Sequence, residues 1–106
     1  MREIQMRAEE VAGLLKLLSH PNRLLIACEL RYREASVGEL ETATGARQPN
    51  LSRDLARMRE EGLLVARRQS KSVLYRLADD RLERVIDALC AAFGPQARIP
   101  RKRSRK

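Results

Sequence analysis

The spacing of apolar and polar positions divides the chain into helices with one short strand pair between them. Ile4, Ala8, Val11, Ala12, Leu15 and Leu18 recur at helical spacing, with Arg7, Glu9, Glu10 and Lys16 elsewhere, so residues 3 to 18 are expected to form an amphipathic helix. Pro21 suits the opening of a second helix, with Ser19 or His20 as its cap. Leu24, Leu25, Ala27, Cys28 and Leu30 carry that helix towards Arg33 and make it the expected buried axis of the domain. Ser36-Val37-Gly38-Glu39 has the form of a capping box, in which the serine accepts from the backbone three residues on and the glutamate reaches back. Leu40 and Ala43 are expected to bury the short helix that follows, and Gly45 to stop it. The stretch from Gly45 to Gly62 reads as one further helix, with Pro49 in its first turn and Gly62 at the left-handed residue that ends it. Val73, Tyr75 and Leu77 then alternate with Leu74 and Arg76, the period of a strand. Residues 64–68 pair with them as a hairpin joined through Gln69-Ser70-Lys71-Ser72. Asp79 or Asp80 caps a final helix in which Leu82, Val85, Ile86, Leu89, Cys90 and Phe93 share a side, and Gly94-Pro95 ends it.

The helix between Gly45 and Gly62 has two distinct faces. Leu51, Leu55 and Met58 form a stripe that faces a core. Asn50, Arg53, Asp54 and Arg57 form a second stripe of amide, guanidinium and carboxylate groups. Asn can bond adenine bidentately and Arg can bond guanine, so such a face can read base edges in a major groove, although it also suits an ordinary solvated surface. A short helix, a turn containing glycine and a second helix with a polar outer face is the helix-turn-helix arrangement. A basic hairpin directly after it is a wing. The fold class is therefore mainly α with a small β-hairpin, a winged helix-turn-helix. The first and last helices are left over from so small a core and are read as dimer-forming.

Composition refines this picture. A chain of 106 residues is one domain, and its three aromatic residues, Tyr32, Tyr75 and Phe93, are too few for the stacking platforms that bind single strands. Six of the eight net positive charges belong to residues 95–106, which hold Arg98, Arg101, Lys102, Arg103, Arg105 and Lys106 and no acid. The chain thus divides into a folded part, 1–94, and a basic tail, 95–106, that is too poor in apolar residues to fold alone. The tail is either a solvated segment or a source of phosphate contacts. Positive charge useful to the body is local, at Arg47, Arg53 and Arg57 on the helix and at Arg67, Arg68 and Lys71 on the wing. No apolar run approaches the ~20 residues of a membrane span, so a cytoplasmic protein without membrane contact is expected.

Five motifs, in order, carry a family resemblance: Ser19-His20-Pro21-Asn22-Arg23-Leu24, Ser36-Val37-Gly38-Glu39-Leu40, Gln48-Pro49-Asn50-Leu51-Ser52, Arg59-Glu60-Glu61-Gly62-Leu63-Leu64 and Val73-Leu74-Tyr75-Arg76-Leu77. Together they resemble the ArsR/SmtB winged-helix repressors over about residues 14 to 94. Asp54 departs from the family pattern by standing where a histidine is common, and Ser70 stands where the wing commonly turns on glycine. The resemblance implies a homodimer, paired through the first and last helices, that binds double-stranded DNA carrying an inverted repeat. The expected DNA-binding set is Gln48, Asn50, Ser52, Arg53 and Arg57 from the helix with Arg67, Arg68 and Lys71 from the wing.

The usual enzyme constellations, G-x-S-x-G, G-x-x-x-x-G-K-[ST] and H-E-x-x-H, do not occur, so the chain is read as no enzyme and as needing no cofactor. His20 is the single histidine and is assigned to capping or packing. The thiolate pair that metal-sensing members of the resembling family place at the start of the helix-turn-helix falls on Ser36 and Gly38, and the last helix has no histidine, so no metal site is expected. Two cysteines remain. Some members of the family respond to reactive sulfur through one cysteine on the second helix, which Cys28 matches, and one on the last helix. Cys90 lies on that last helix, one turn before the family position, which is Gly94 here. Cys28 and Cys90 are thus the candidate redox pair; their other reading is as small buried hydrophobes. The implied function is a repressor relieved by thiol oxidation or persulfidation. The alternatives are a constitutive or metal-responsive repressor of the same fold, or a basic protein that binds nucleic acid without sequence preference.

Overall fold

The computed structural model describes residues 2, 5 and 7–94. Among them are five helices and three strands: α1 Ala8–Leu17, α2 Pro21–Glu29, β1 Ala35–Ser36, α3 Val37–Thr44, α4 Asn50–Glu60, β2 Leu64–Gln69, β3 Ser72–Leu77 and α5 Asp80–Phe93. The order is that of a winged helix-turn-helix. Ile4 and the tail 95–106 lie outside the described residues.

Local chemistry sets most of the boundaries. The capping box is complete: Ser36 Oγ accepts from the Glu39 amide at 3.2 Å, and the Ser36 amide donates to Glu39 Oε1 at 2.8 Å. Gly45 closes α3 at φ 77°, a left-handed conformation that costs a residue with a Cβ more than it costs glycine. The end of α4 is a Schellman motif. The Leu63 amide donates to the Met58 carbonyl at 2.9 Å and the Gly62 amide to the Arg59 carbonyl at 3.1 Å, with Gly62 at φ 87°. Pro49 stands just before the first helical residue of α4 rather than on it. At α5 it is Asp79, not Asp80, that caps, accepting from the Leu82 amide at 3.0 Å. Neither Ser19 nor His20 caps α2 through its side chain. The Ser19 hydroxyl instead donates to the Lys16 carbonyl at 2.6 Å and closes α1.

The core lies beneath α4. Ile26 and Leu30 of α2, Leu40 of α3, Leu51, Leu55 and Met58 of α4, Leu64 and Leu77 of the hairpin and Ile86 of α5 are fully buried together. Two details of the expected core differ. Ile26 takes the place given to Leu25, which is largely exposed, and Ala43 faces solvent. The hairpin pairs Leu64 with Leu77 through Gln69 with Ser72, so each strand is one residue longer than expected and the turn is the two residues Ser70-Lys71. A third strand, the two-residue β1, pairs with β3 on the other side, Ala35 against Tyr75. This edge anchors the wing to the start of α3.

Helix α1 buries little. Leu17 is its one buried residue, with Leu18 just beyond, while Val11 and Leu15 are exposed. Val85 and Phe93 of α5 are exposed as well, Phe93 at 72%. Among the described residues no helix is long and apolar enough to cross a membrane.

Candidate functional site

Helix α4 presents its polar face because its apolar stripe is fully used: Leu51, Leu55 and Met58 face inward and leave Asn50, Ser52, Arg53 and Arg57 on the outside. At its entry Gln48 Oε1 accepts from both the amide and the hydroxyl of Ser52, at 3.0 and 2.6 Å. This satisfies one of the amides a helix start leaves without an internal partner, a task the Pro49 ring cannot perform. Asn50 Oδ1 accepts from Arg53 Nη1 at 3.3 Å, so these two side chains are held as a unit with further N–H groups outward. Arg57 reaches Glu61 at 3.4 Å on the exposed surface.

Asp54 does not belong to that outward face. Its carboxylate accepts from Arg23 Nε at 3.1 Å, a contact between α4 and α2 in which the two side chains are only 16% and 20% exposed. Arg23 Nη1 also donates to the Leu17 carbonyl at the end of α1, at 3.2 Å. A notch of ≈ 570 Å³ opens beside this pair between the start of α2 and α4. Sequence spacing placed Asp54 with the readers, since a helical stripe says which residues are neighbours and not what stands opposite them.

The wing charges fall into two kinds. Arg67 is held by Glu34 through two hydrogen bonds of 2.7 Å, a bidentate pair joining β2 to the residue before β1. The bond from Arg67 holds the Glu34 carboxyl below its usual range. Arg68 and Lys71 are exposed and form no ion pair among the described residues. Ser70, at the first turn position, has φ 58°, the left-handed region in which the resembling family commonly has glycine.

On the far side of α2 the two cysteines come together. Cys28 and Cys90 are partly buried free thiols that pack against the core where α2 meets α5. Burial, followed by a hydrogen bond with Cys90, pushes the Cys28 thiol up to about 12. Arg31 lowers it to a smaller extent, and Arg31 Nη1 itself bonds Asp87 Oδ1 at 3.2 Å, tying the same two helices together close by. The question of whether the cysteines approach one another is thus answered by their mutual contact. Among the described residues no group of three or more His, Cys, Asp or Glu could hold a metal ion.

Comparison with known proteins agrees with this architecture. The model for the bacterial regulatory proteins of the arsR family matches residues 20–65. The biofilm growth-associated repressor of Agrobacterium fabrum is 51% identical over 90 residues, covering 85% of this chain and 77% of the relative. The crystal structure of the transcriptional repressor BigR from Xylella fastidiosa superposes with a TM-score of 0.80 at 44% identity, over 87% of this chain and 94% of that one. The homodimeric winged helix-turn-helix DNA-binding domain of Mb0332 from Mycobacterium bovis matches at a TM-score of 0.71 and 28% identity, over 83% and 82% of the two chains.

Proposed function

This chain belongs to the arsR family of bacterial regulatory proteins, and from that premise we propose that it is a homodimeric transcriptional repressor that reads an inverted repeat in double-stranded DNA. The observation that carries the reading is α4, whose buried apolar stripe turns a connected amide and guanidinium face outward beside an exposed basic wing. In the proposed complex Gln48, Asn50, Ser52, Arg53 and Arg57 enter the major groove, with base edges read chiefly by Asn50 and Arg53. Arg68 and Lys71, with Arg67 as a tethered neighbour, meet the phosphates. A second copy pairs through α1 and α5. The motivation is the exposed Val11, Leu15, Val85 and Phe93, together with a groove of ≈ 600 Å³ between α1 and the first half of α5. Two-fold symmetry then sets the two copies of α4 on half-sites about 34–36 Å apart or a multiple of that.

The contact of Cys28 with Cys90 supports a thiol switch on this repressor. Cys28 keeps its proton at neutral pH, so attack on a low-molecular-weight persulfide RSSH falls to Cys90. The Cys90 thiolate bonds the outer sulfur and releases RS⁻, leaving Cys90 as a persulfide. Cys28 then gives up its proton and attacks the inner sulfur, releasing HS⁻ and closing a disulfide. The link ties α2 to α5, and because α2 also packs on α4 the two reading helices change their relative position.

Footprinting of the reduced protein on genomic fragments tests the first part, and a protected inverted repeat is expected; uniform protection would refute it. Titration of that operator complex with glutathione persulfide tests the second. Affinity is expected to fall and to recover with a thiol reductant, while Cys28→Ser and Cys90→Ser stay bound. Release of the Ser variants along with the parent would leave both cysteines as packing residues.

A further inference from the structure

We infer that Arg23 and Asp54 form the positioning pair that sets the attitude of α4 against the rest of the domain, and so determines which DNA sequence the helix can select. The inference rests on the DNA-reading role proposed for α4.

The geometry is that of a three-way junction. Arg23 stands in the first turn of α2, its Nε reaches Asp54 on α4 at 3.1 Å, and its Nη1 reaches the Leu17 carbonyl at the end of α1 at 3.2 Å. One guanidinium therefore ties the reading helix to two other helices at once. The apolar stripe of α4 cannot do this alone. Leu51, Leu55 and Met58 hold the helix on the core, but packed side chains of this kind tolerate rotation and sliding better than a directional fork does. Asp54 follows Arg53 directly and lies one helical turn from Asn50 and Arg57, so a rotation of α4 about the pair would move all three. Contacts that discriminate bases must be held to within about 0.5 Å.

The same geometry rejects two simpler roles. Both partners are mostly buried and turned towards each other, so Asp54 is not placed to accept from a base, nor Arg23 to contact a phosphate. A lysine at position 23 would keep the charge but not the planar fork that spans two acceptors.

The test uses the full chain, a duplex selected from a random pool by the unmodified protein, and a scrambled duplex of equal length. Arg23→Lys, Asp54→Asn and the double variant are measured on both duplexes over a range of salt, with thermal melting alongside. Each single variant is expected to melt cooperatively and to lose about tenfold in the ratio of selected to scrambled affinity, the size of one lost bidentate contact. The double variant should lose no more than the worse single one, because both act through one contact. Scrambled-duplex affinity should be unchanged in Arg23→Lys, which also shows that the fold survives. If Asp54 were only a counter-charge, Asp54→Asn would tighten both duplexes alike and leave the ratio unmoved. If Arg23 were a phosphate contact, Arg23→Lys would keep the ratio. Either outcome, or additive losses in the double variant, overturns the inference. An unmodified protein that selects no duplex would refute the DNA-reading role instead.

Discussion

The wing offers the sharpest test of which charges meet DNA, because its three cations are differently held. Arg67 spends both arms of its guanidinium on Glu34 at 2.7 Å, whereas Arg68 and Lys71 have no ionic partner among the described residues. A cation that neutralises a phosphate releases counterions, and each such contact adds about 0.9 to the slope of log affinity against log salt. Over a fourfold range of salt, one contact is therefore a factor of about 3.5 in affinity. Arg68→Gln and Lys71→Gln should each lower the slope by about 0.9, on operator and unrelated DNA alike. Arg67→Gln should leave it nearly unchanged, because the charge lost there was already compensated. Glu34→Gln should act in the opposite sense and raise the slope by up to about 0.9, since it frees Arg67 without moving the wing. Fluorescence anisotropy of a labelled duplex between 50 and 200 mM salt measures all four. A slope that falls as far for Arg67→Gln as for Arg68→Gln would refute the division, as would a Glu34→Gln variant indistinguishable from the parent.

Asp79→Ala should destabilise the fold by about 1 kcal/mol through the lost cap of α5, while Asp79→Asn should keep the cap at neutral pH. The Leu82 amide holds the Asp79 carboxyl below its usual value, so its contribution is present above pH ~4 and disappears as pH falls. Urea midpoints should thus converge between parent and Ala variant in acid, and a constant gap would contradict this. Ser70→Gly should raise stability by up to about 1 kcal/mol, the left-handed cost removed less the extra freedom gained by the unfolded chain. A lowered melting temperature would show that the turn is not strained at Ser70. The raised Cys28 thiol should react slowly with iodoacetamide at neutral pH and accelerate only as pH climbs from 9 towards about 12, read from its peptide by mass spectrometry. An ordinary thiol profile would remove the basis for starting the chemistry at Cys90.

What could be read from the sequence was what is decided within a few residues. The Ser36 capping box, the left-handed glycines at 45 and 62, the Leu51-Leu55-Met58 stripe and the hairpin all rest on partners no more than a turn or a strand apart, and all are present. The contacts that orient the site join residues far apart in the chain: Arg23 with Asp54, Glu34 with Arg67, Arg31 with Asp87. No periodicity marks them. Strand β1 escaped for a related reason, since two residues are too short to show alternation and are a strand only because β3 lies alongside. For Cys28 and Cys90 the helices could be named in advance, but the meeting of the two thiols depends on how α2 and α5 pack.

The apolar faces of α1 and α5 diverge from the single chain in another way. Val11, Leu15, Val85 and Phe93 keep helical spacing, yet they are exposed. Periodic apolar positions are retained where burial favours them, so a pattern left open in one copy fits burial in the assembly. On the proposed dimer, covering the exposed part of each would contribute roughly 1 kcal/mol at about 25 cal/mol per Å². Symmetry counts each residue twice, for roughly 8 kcal/mol in all. Association itself costs about 4–15 kcal/mol, so this face comes close to balance rather than locking the pair. A dimer held by so small a margin would respond to modest changes in how α5 lies against α2, and the Cys28 and Cys90 thiols meet between those two helices.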